Sequence, residues 1–209
     1  ILKKDKMAKA SINIQPVKAA SEAHNLSEQK LDYVVSDRSR FNEHWQTHSI
    51  SEMDKLIKSY CRQKSGRKMQ KNATPIREAV LNLDDSHDIY DVRQLCDELE
   101  NRFGMKVFQI HIHRDEGHYS QEGDRSVFKG NFHAHLLFRW QDMDTGKTLR
   151  LNRKQMSQVQ DVVAESLNME RGQLKSNTNR ERLEAMQYKV MMREKEIEKP
   201  VAKKKYSQK

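Results

Sequence analysis

Apolar residues are scarce in this chain, at 35% against 33% charged. That is polar for a globular protein, so part of the chain packs poorly or waits for a partner. No apolar run approaches the ~20 residues of a membrane span; "HLLF" and "DVVA" are typical of the longest. "ILKKDKMAKA" at the start has no apolar segment of the secretory kind, and Met7 reads as a natural start, with residues 1–6 an extension. Cysteine is nearly absent. Cys61 and Cys96 stand far apart in no ligand-like spacing, which excludes a disulfide framework or a thiolate zinc site and suits reduced thiols in a cytosolic protein. Several enzyme signatures are missing too. No helix carries HExxH, and no GxSxG occurs. "DTGKT" looks like the end of a phosphate-binding loop, but the glycine that loop needs five residues before Gly146 is missing. No internal repeat is apparent.

Positive charge is in excess. The net charge is +9 and the pI about 9.5, which makes a polyanion a plausible partner through phosphate neutralisation and counterion release.

The 209 residues allow one sizeable domain with an appendage. "SINIQPV" (11–17) alternates as a strand. Residues 18–48 show no clear periodicity and read as irregular. "SISEMDKLIKSYCRQK" opens on a Ser49/Glu52 capping box and carries Met53, Leu56, Ile57 and Tyr60 on one helical stripe. A basic loop follows, then a strand at 76–83. "SHDIYDVRQLCDELENRFG" reads as a helix on Val92, Leu95, Leu99 and Phe103, closed by Gly104. "MKVFQIHIH" (105–113) is a strand with Met105, Val107, Gln109, His111 and His113 on one face. A polar loop leads to the strand "NFHAHLLFRW" (131–140), and "DMDTGKTLRL" ends in a short strand. "RKQMSQVQDVVAESLN" is a third helix, and 179–199 a charged fourth, before a basic tail. Helices and antiparallel strands mix without regular alternation of strand and helix. The expected fold class is α+β, an antiparallel sheet with helices packed on one side.

Two His-x-His pairs, His111 with His113 and His133 with His135, fall on strands that are sequence neighbours. Same-face residues two apart lie ~6.6 Å apart and neighbouring strands ~4.8 Å apart. Three imidazoles from two such strands can converge on one ion and leave coordination positions open. The bland alternative is half-exposed histidines stacking across a hairpin. Two pairs, followed at once by "RDE", make that the weaker reading. His44, His48, His87 and His118 have no such company and read as surface residues.

The ordered motifs resemble a known family, the MobV (Pre/Mob) plasmid mobilisation relaxases of the HUH endonuclease superfamily. "HRDE" (113–116) and "FHAHLLF" (132–138) resemble that family's metal-site motifs. "HN" (24–25), "LDYVVSDRSR" (31–40) and "ERGQLKS" (170–176) resemble its other landmarks, in the same order from about residue 11 to 176. Two departures stand out. The loop between Glu116 and His133 is much longer than the family's, and Phe132 replaces a proline.

The resemblance implies a relaxase domain over 7–176, followed by a charged helix and basic tail at 177–209, and a longer natural protein. It implies strand-specific nicking at an origin of transfer in the bacterial cytoplasm, with covalent attachment to the 5′ end. His113, His133 and His135 would bind one manganese or magnesium ion, with His111 the runner-up ligand. His24 would be the nucleophile and Tyr33 its competitor, with Glu116 taking or orienting the imidazole proton. Asn25, Arg38, Arg67, Lys68, Lys71, Arg77 and Lys129 would meet DNA, as an origin hairpin and single strand. Other mobilisation proteins and a coupling protein are the further partners implied. Two alternatives remain open: an HUH replication initiator or transposase, and a DNA-binding module without catalysis.

Overall fold

The two histidine strands are direct neighbours. In the computed structural model, which describes residues 9–26, 33–121 and 124–172, β5 (Lys106–His113) pairs antiparallel with β8 (His133–Arg139). They lie in a five-stranded antiparallel sheet with β2 (Ile12–Pro16), β3 (Glu43–Gln46) and β4 (Ile76–Asn82), in the order β2-β4-β8-β5-β3. A short parallel pair joins β1 (Lys9–Ala10) to β9 (Glu170–Arg171). The described residues fall within a compact unit ending at Gly172. The helix expected over 179–199 and the basic tail lie outside the described residues.

Among the described residues four α-helices accompany the sheet: α1 (Ser21–Asn25), α2 (Ile50–Ser65), α3 (Ile89–Phe103) and α4 (Arg153–Ser166). Their ends follow local chemistry. Ser49 with Glu52, Asp88 with Asp91, and Asn152 with Gln155 each close a reciprocal capping box. Gly66 and Gly104 end α2 and α3 in the left-handed conformation that favours glycine. The main core sits between one sheet face (Leu81, Ile110, Ile112, Leu136, Phe138) and the inner stripes of α3 (Leu95, Leu99) and α4 (Val159, Val163).

The helices are not confined to one side. Met53 and Ile57 of α2 pack on Ile76, Phe108 and Leu137 of the opposite face. A bulge in β5 makes this possible. Val107 pairs with Phe138 and Gln109 with Leu137, so Phe108 is the extra residue. The bulge corrects the expected alternation. Met105 and Val107 join the α3/α4 side, while Phe108 turns to the side of Gln109, His111 and His113. Across the bulge the face simply switches, and the histidines keep theirs.

The loop expected after Glu116 is instead a β-hairpin, β6 (Gly117–Gln121) with β7 (Asp124–Gly130). Tyr119, Phe128 and Phe132 pack in series, and the Arg38 guanidinium covers Phe128 at 4.2 Å. Gly117 is required at the base of this hairpin. Its φ is +150°, and a Cβ there would come within 2.3 Å of the Lys129 carbonyl oxygen. The strand expected at the end of "DMDTGKTLRL" is reduced to one bridge, Gln141 to Thr148. Within the segment read as irregular, α1, a 3-10 turn at Ser36–Phe41 and the edge strand β3 are all ordered against the sheet.

Candidate metal site

Register brings the imidazoles together. His113 faces His133 directly across β5 and β8, and His111 faces His135. His113 and His133 stack with ring centroids 5.3 Å apart, and His135 meets them edge-on at 5.4 and 5.1 Å. The fourth imidazole comes from α1. His24 stacks on His113 at 5.4 Å and meets His135 at 4.9 Å. Glu116, just past β5, places Oε1 3.7 Å from His24 Nε2 and 3.9 Å from His133 Nε2. Ligand atoms lie within 4.8 Å of one another in two overlapping sets, His24 with His113 and His135, and His24 with Glu116 and His133.

The surroundings decide which nitrogen each ring offers. His133 Nδ1–H donates to the Asn131 carbonyl at 2.8 Å. His135 Nδ1–H donates to Glu78 Oε1 at 2.8 Å. Both leave Nε2 with a free lone pair, the tautomer that metal-ligating histidines adopt. His113 Nδ1 lies 3.7 Å from Asp115 Oδ1, and its Nε2 is buried with no hydrogen-bond partner among the described residues. An orphaned buried nitrogen is costly unless something else satisfies it. The donor set therefore fits a divalent ion held by imidazole nitrogen, with a carboxylate close by. Asp115 is itself fully buried and pinned by Ser39 Oγ at 2.6 Å and Asn42 Nδ2 at 2.9 Å.

Burial sets the charge states. It pushes His113 down to about 3, helped by repulsion from His133, His135 and His24. It likewise takes His133 to about 4, helped by His135, and lowers His24, again with His135 contributing. The rings of His113, His133 and His24 are thus neutral and able to donate lone pairs at neutral pH. Glu116 moves the other way, raised to about 7 by burial and by Asp115. Burial also opposes ionisation of Glu78, but hydrogen bonds from His135, Ser21 and Asn25 outweigh it and hold that carboxyl at about 2.

These shifts predict an acid-sensitive fold in the absence of metal. His111, His113 and His133, lowered to between about 3 and 4, bind fewer protons when folded than their free value of about 6.5 dictates when unfolded. Their contribution falls as pH drops from about 6.5 towards 4. Glu116 opposes them, since its folded form holds a proton up to about 7. Its contribution is lost as pH rises from about 4.5 through 7. Three groups outweigh one, so the urea midpoint of metal-free protein is expected to be lower at pH 5 than at pH 7. Glu116→Gln is expected to raise the midpoint at pH 8 while leaving the fall below pH 6 in place.

The expected residues separate in space. His24, Glu116, His113, His133 and His135 converge. His111 does not offer a free nitrogen. Its Nδ1 lies 3.0 Å from His44 Nδ1 and its Nε2 3.2 Å from Gln109 Oε1. Asn25, expected to meet DNA, is completely buried and donates to Glu78 Oε1 at 3.0 Å. That bond ties the last residue of α1 to β4. Arg77 stacks over Trp140 at 5.0 Å, on the sheet face opposite the histidines. The Arg38 guanidinium donates to the Arg114 carbonyl and lies over Phe41 and Phe128, bracing the hairpin. Tyr33 joins through its backbone, with its carbonyl accepting from Gly117 N–H at 3.0 Å. Arg67, Lys68, Lys71 and Lys129 are exposed. His87, read as a surface residue, is buried between Asp84 and the Leu167 carbonyl. Sequence reasoning missed Glu78. Its one signal was a carboxylate inside the otherwise strand-like "IREAVLN".

Comparison with solved structures adds the frame. A Mn-bound crystal structure, at pH 5.5, of the MobM relaxase domain (MOBV; Mob_Pre) bound to plasmid pMV158 oriT DNA superposes with a TM-score of 0.67. It is 18% identical and covers 88% of this chain and 100% of that one. The chain has the relaxase fold. A second structure of that domain, with a longer DNA at pH 6.5, gives a TM-score of 0.62 at 16% identity, covering 89% and 99%. No protein-family model matches the chain, and no curated protein matches it. In this relaxase fold the His113–His133–His135 cluster occupies the middle strands of the sheet. Among the described residues no helix is long and apolar enough to cross a membrane.

Proposed function

We propose that the chain is a metal-dependent DNA relaxase of the MobV type, which nicks one strand at an origin of transfer and stays attached to its 5′ end. One observation carries this reading: four imidazoles and Glu116 converge on one face of a relaxase-fold sheet, with His113 Nε2 buried and without a hydrogen-bond partner among the described residues. The related fold in its Mn-bound, oriT-bound form supports the reading.

His113, His133 and His135 would hold one manganese or magnesium ion. When bound, such an ion supplies Lewis-acid polarisation of a phosphate oxygen. The chain's own residues supply the rest. His24, kept neutral by burial, attacks phosphorus with a ring nitrogen. An N–P bond forms, the P–O3′ bond breaks, and O3′ departs as a hydroxyl. The net transfer is one proton from imidazole to O3′. Glu116, poised near neutrality and 3.7 Å from His24 Nε2, accepts and relays that proton. The phosphoramidate keeps the bond energy for rejoining. Exposed Arg67, Lys68, Lys71 and Lys129, within a net charge of +9, supply backbone contacts to the origin hairpin and single strand. The setting is the bacterial cytoplasm, with other mobilisation proteins and a coupling protein as further partners.

The test is a covalent protein–oligonucleotide adduct on a denaturing gel, formed with single-stranded origin DNA and Mn2+. The adduct is expected to need the metal and to be acid-labile, as a phosphoramidate is. Undiminished cleavage in excess chelator would refute the metal role.

A further inference from the structure

Both oxygens of one half-buried carboxylate are committed to the site without belonging to it. Glu78, on β4, accepts the His135 Nδ1–H at 2.8 Å and the Asn25 Nδ2–H at 3.0 Å on Oε1. It accepts the Ser21 hydroxyl at 2.5 Å on Oε2. Ser21 and Asn25 are the first and last residues of α1, the five-residue helix that carries His24. Such a helix is too short to hold itself. Its own caps add little, because the residue before it, Ala20, makes no side-chain cap. Ser21 and Asn25 are nonetheless buried, while His24 between them remains half-buried and faces the cluster.

We propose that Glu78 is a positioning residue that couples the two halves of the site: it fixes the lone pair of His135 and clamps the helix that presents His24. The inference rests on the functional reading above for what His24 does, but not for where it is held. Charge matters on the His135 side. A carboxylate can only accept, so it forces His135 to carry its proton on Nδ1 and to offer Nε2 inward. Geometry matters on the His24 side. Two bonds at the two ends of α1 fix both its place and its rotation. Asn25 uses only its amide for this, leaving Oδ1 buried without a hydrogen-bond partner among the described residues. A buried group kept in that state is evidence that the clamp outweighs its cost.

The clamp separates two measurements that a merely structural role would move together. Mn2+ affinity is read by calorimetry, and His24 exposure by its rate of acylation with diethyl pyrocarbonate, mapped by mass spectrometry. Neither needs DNA. Glu78→Ala is expected to weaken Mn2+ binding by about tenfold or more and to make His24 acylate several times faster. Ser21→Ala with Asn25→Ala leaves the carboxylate on His135. It is expected to keep Mn2+ affinity within about threefold while raising His24 acylation as Glu78→Ala does. It is also expected to lower adduct formation at saturating Mn2+. In the wild type, 15N NMR of the imidazoles should show the Nδ1–H tautomer at His135, and Glu78→Gln should shift it towards Nε2–H. Unchanged His24 acylation in the double variant, or unchanged Mn2+ affinity in Glu78→Ala, would overturn the coupling. If Glu78→Ala does not fold, the double variant and the tautomer still decide. A wild type that forms no adduct, yet shows the affinity and acylation pattern, would sink the relaxase reading and leave the clamp standing.

Discussion

His24→Ala is expected to abolish adduct formation, by at least about a thousandfold, with Mn2+ affinity far less affected. The magnitude follows from the role. Removing a nucleophile removes the bond-forming atom, and what remains is binding and electrostatic assistance to water. The geometry makes His24 the group in question. It is the one cluster imidazole that arrives from outside the histidine strands, on α1, and the most exposed of the four, with 24% of its side chain accessible. Glu116 lies 3.7 Å from its Nε2, within reach of small movements when substrate docks. Tyr33→Phe serves as the comparison. If Tyr33 were the nucleophile, Tyr33→Phe would lose the adduct and His24→Ala would keep it. His24 also appears in both sets of ligand atoms. A large loss of Mn2+ affinity in His24→Ala would therefore move it from nucleophile to ligand.

The second large effect falls on the metal. His113→Ala is expected to weaken Mn2+ binding by at least about a hundredfold, since even residues behind the ligands are worth 10–100-fold. In the wild type a hundredfold excess of Mn2+ over Kd adds about 2.7 kcal/mol of stability, visible as a rise in Tm. That rise is expected to vanish in His113→Ala. His111→Gln is the sharp contrast. Both of its ring nitrogens are already engaged, with His44 and Gln109, so Mn2+ affinity should change only a few-fold. Equal losses in the two variants would mean that the ligand set has been misassigned.

Much of this was legible in the sequence, for local reasons. Capping boxes, helix stripes and alternating strands depend on near neighbours, and the helices over 50–65, 89–103 and 153–166 follow their patterns closely. The two His-x-His pairs could be placed on one face because alternation needs no tertiary knowledge. What was not legible depends on distant partners. The β5 bulge exchanges Val107 and Phe108 between faces because Phe108 finds Met53 and Ile57 on α2. The edge strand β3 is only four residues long and is ordered by its pairing to β5. The hairpin of β6 and β7 hid in a polar stretch, because its Phe128 packs on Arg38 from elsewhere in the chain. Glu78 was invisible for the same reason. A lone carboxylate in a strand gives no hint that it meets His135 and both ends of α1. Asn25 beside His24 could be read either as a DNA contact or as a support for His24, and its burial against Glu78 is a tertiary fact that the sequence does not carry.

The most direct test is mapping the adducted residue. Protein is incubated with Mn2+ and origin DNA, digested under conditions that preserve phosphoramidates, and sequenced by mass spectrometry. One nucleotide-bearing peptide is expected, with the modification on His24 and lost on brief acid treatment. An acid-stable adduct on Tyr33 would contradict it.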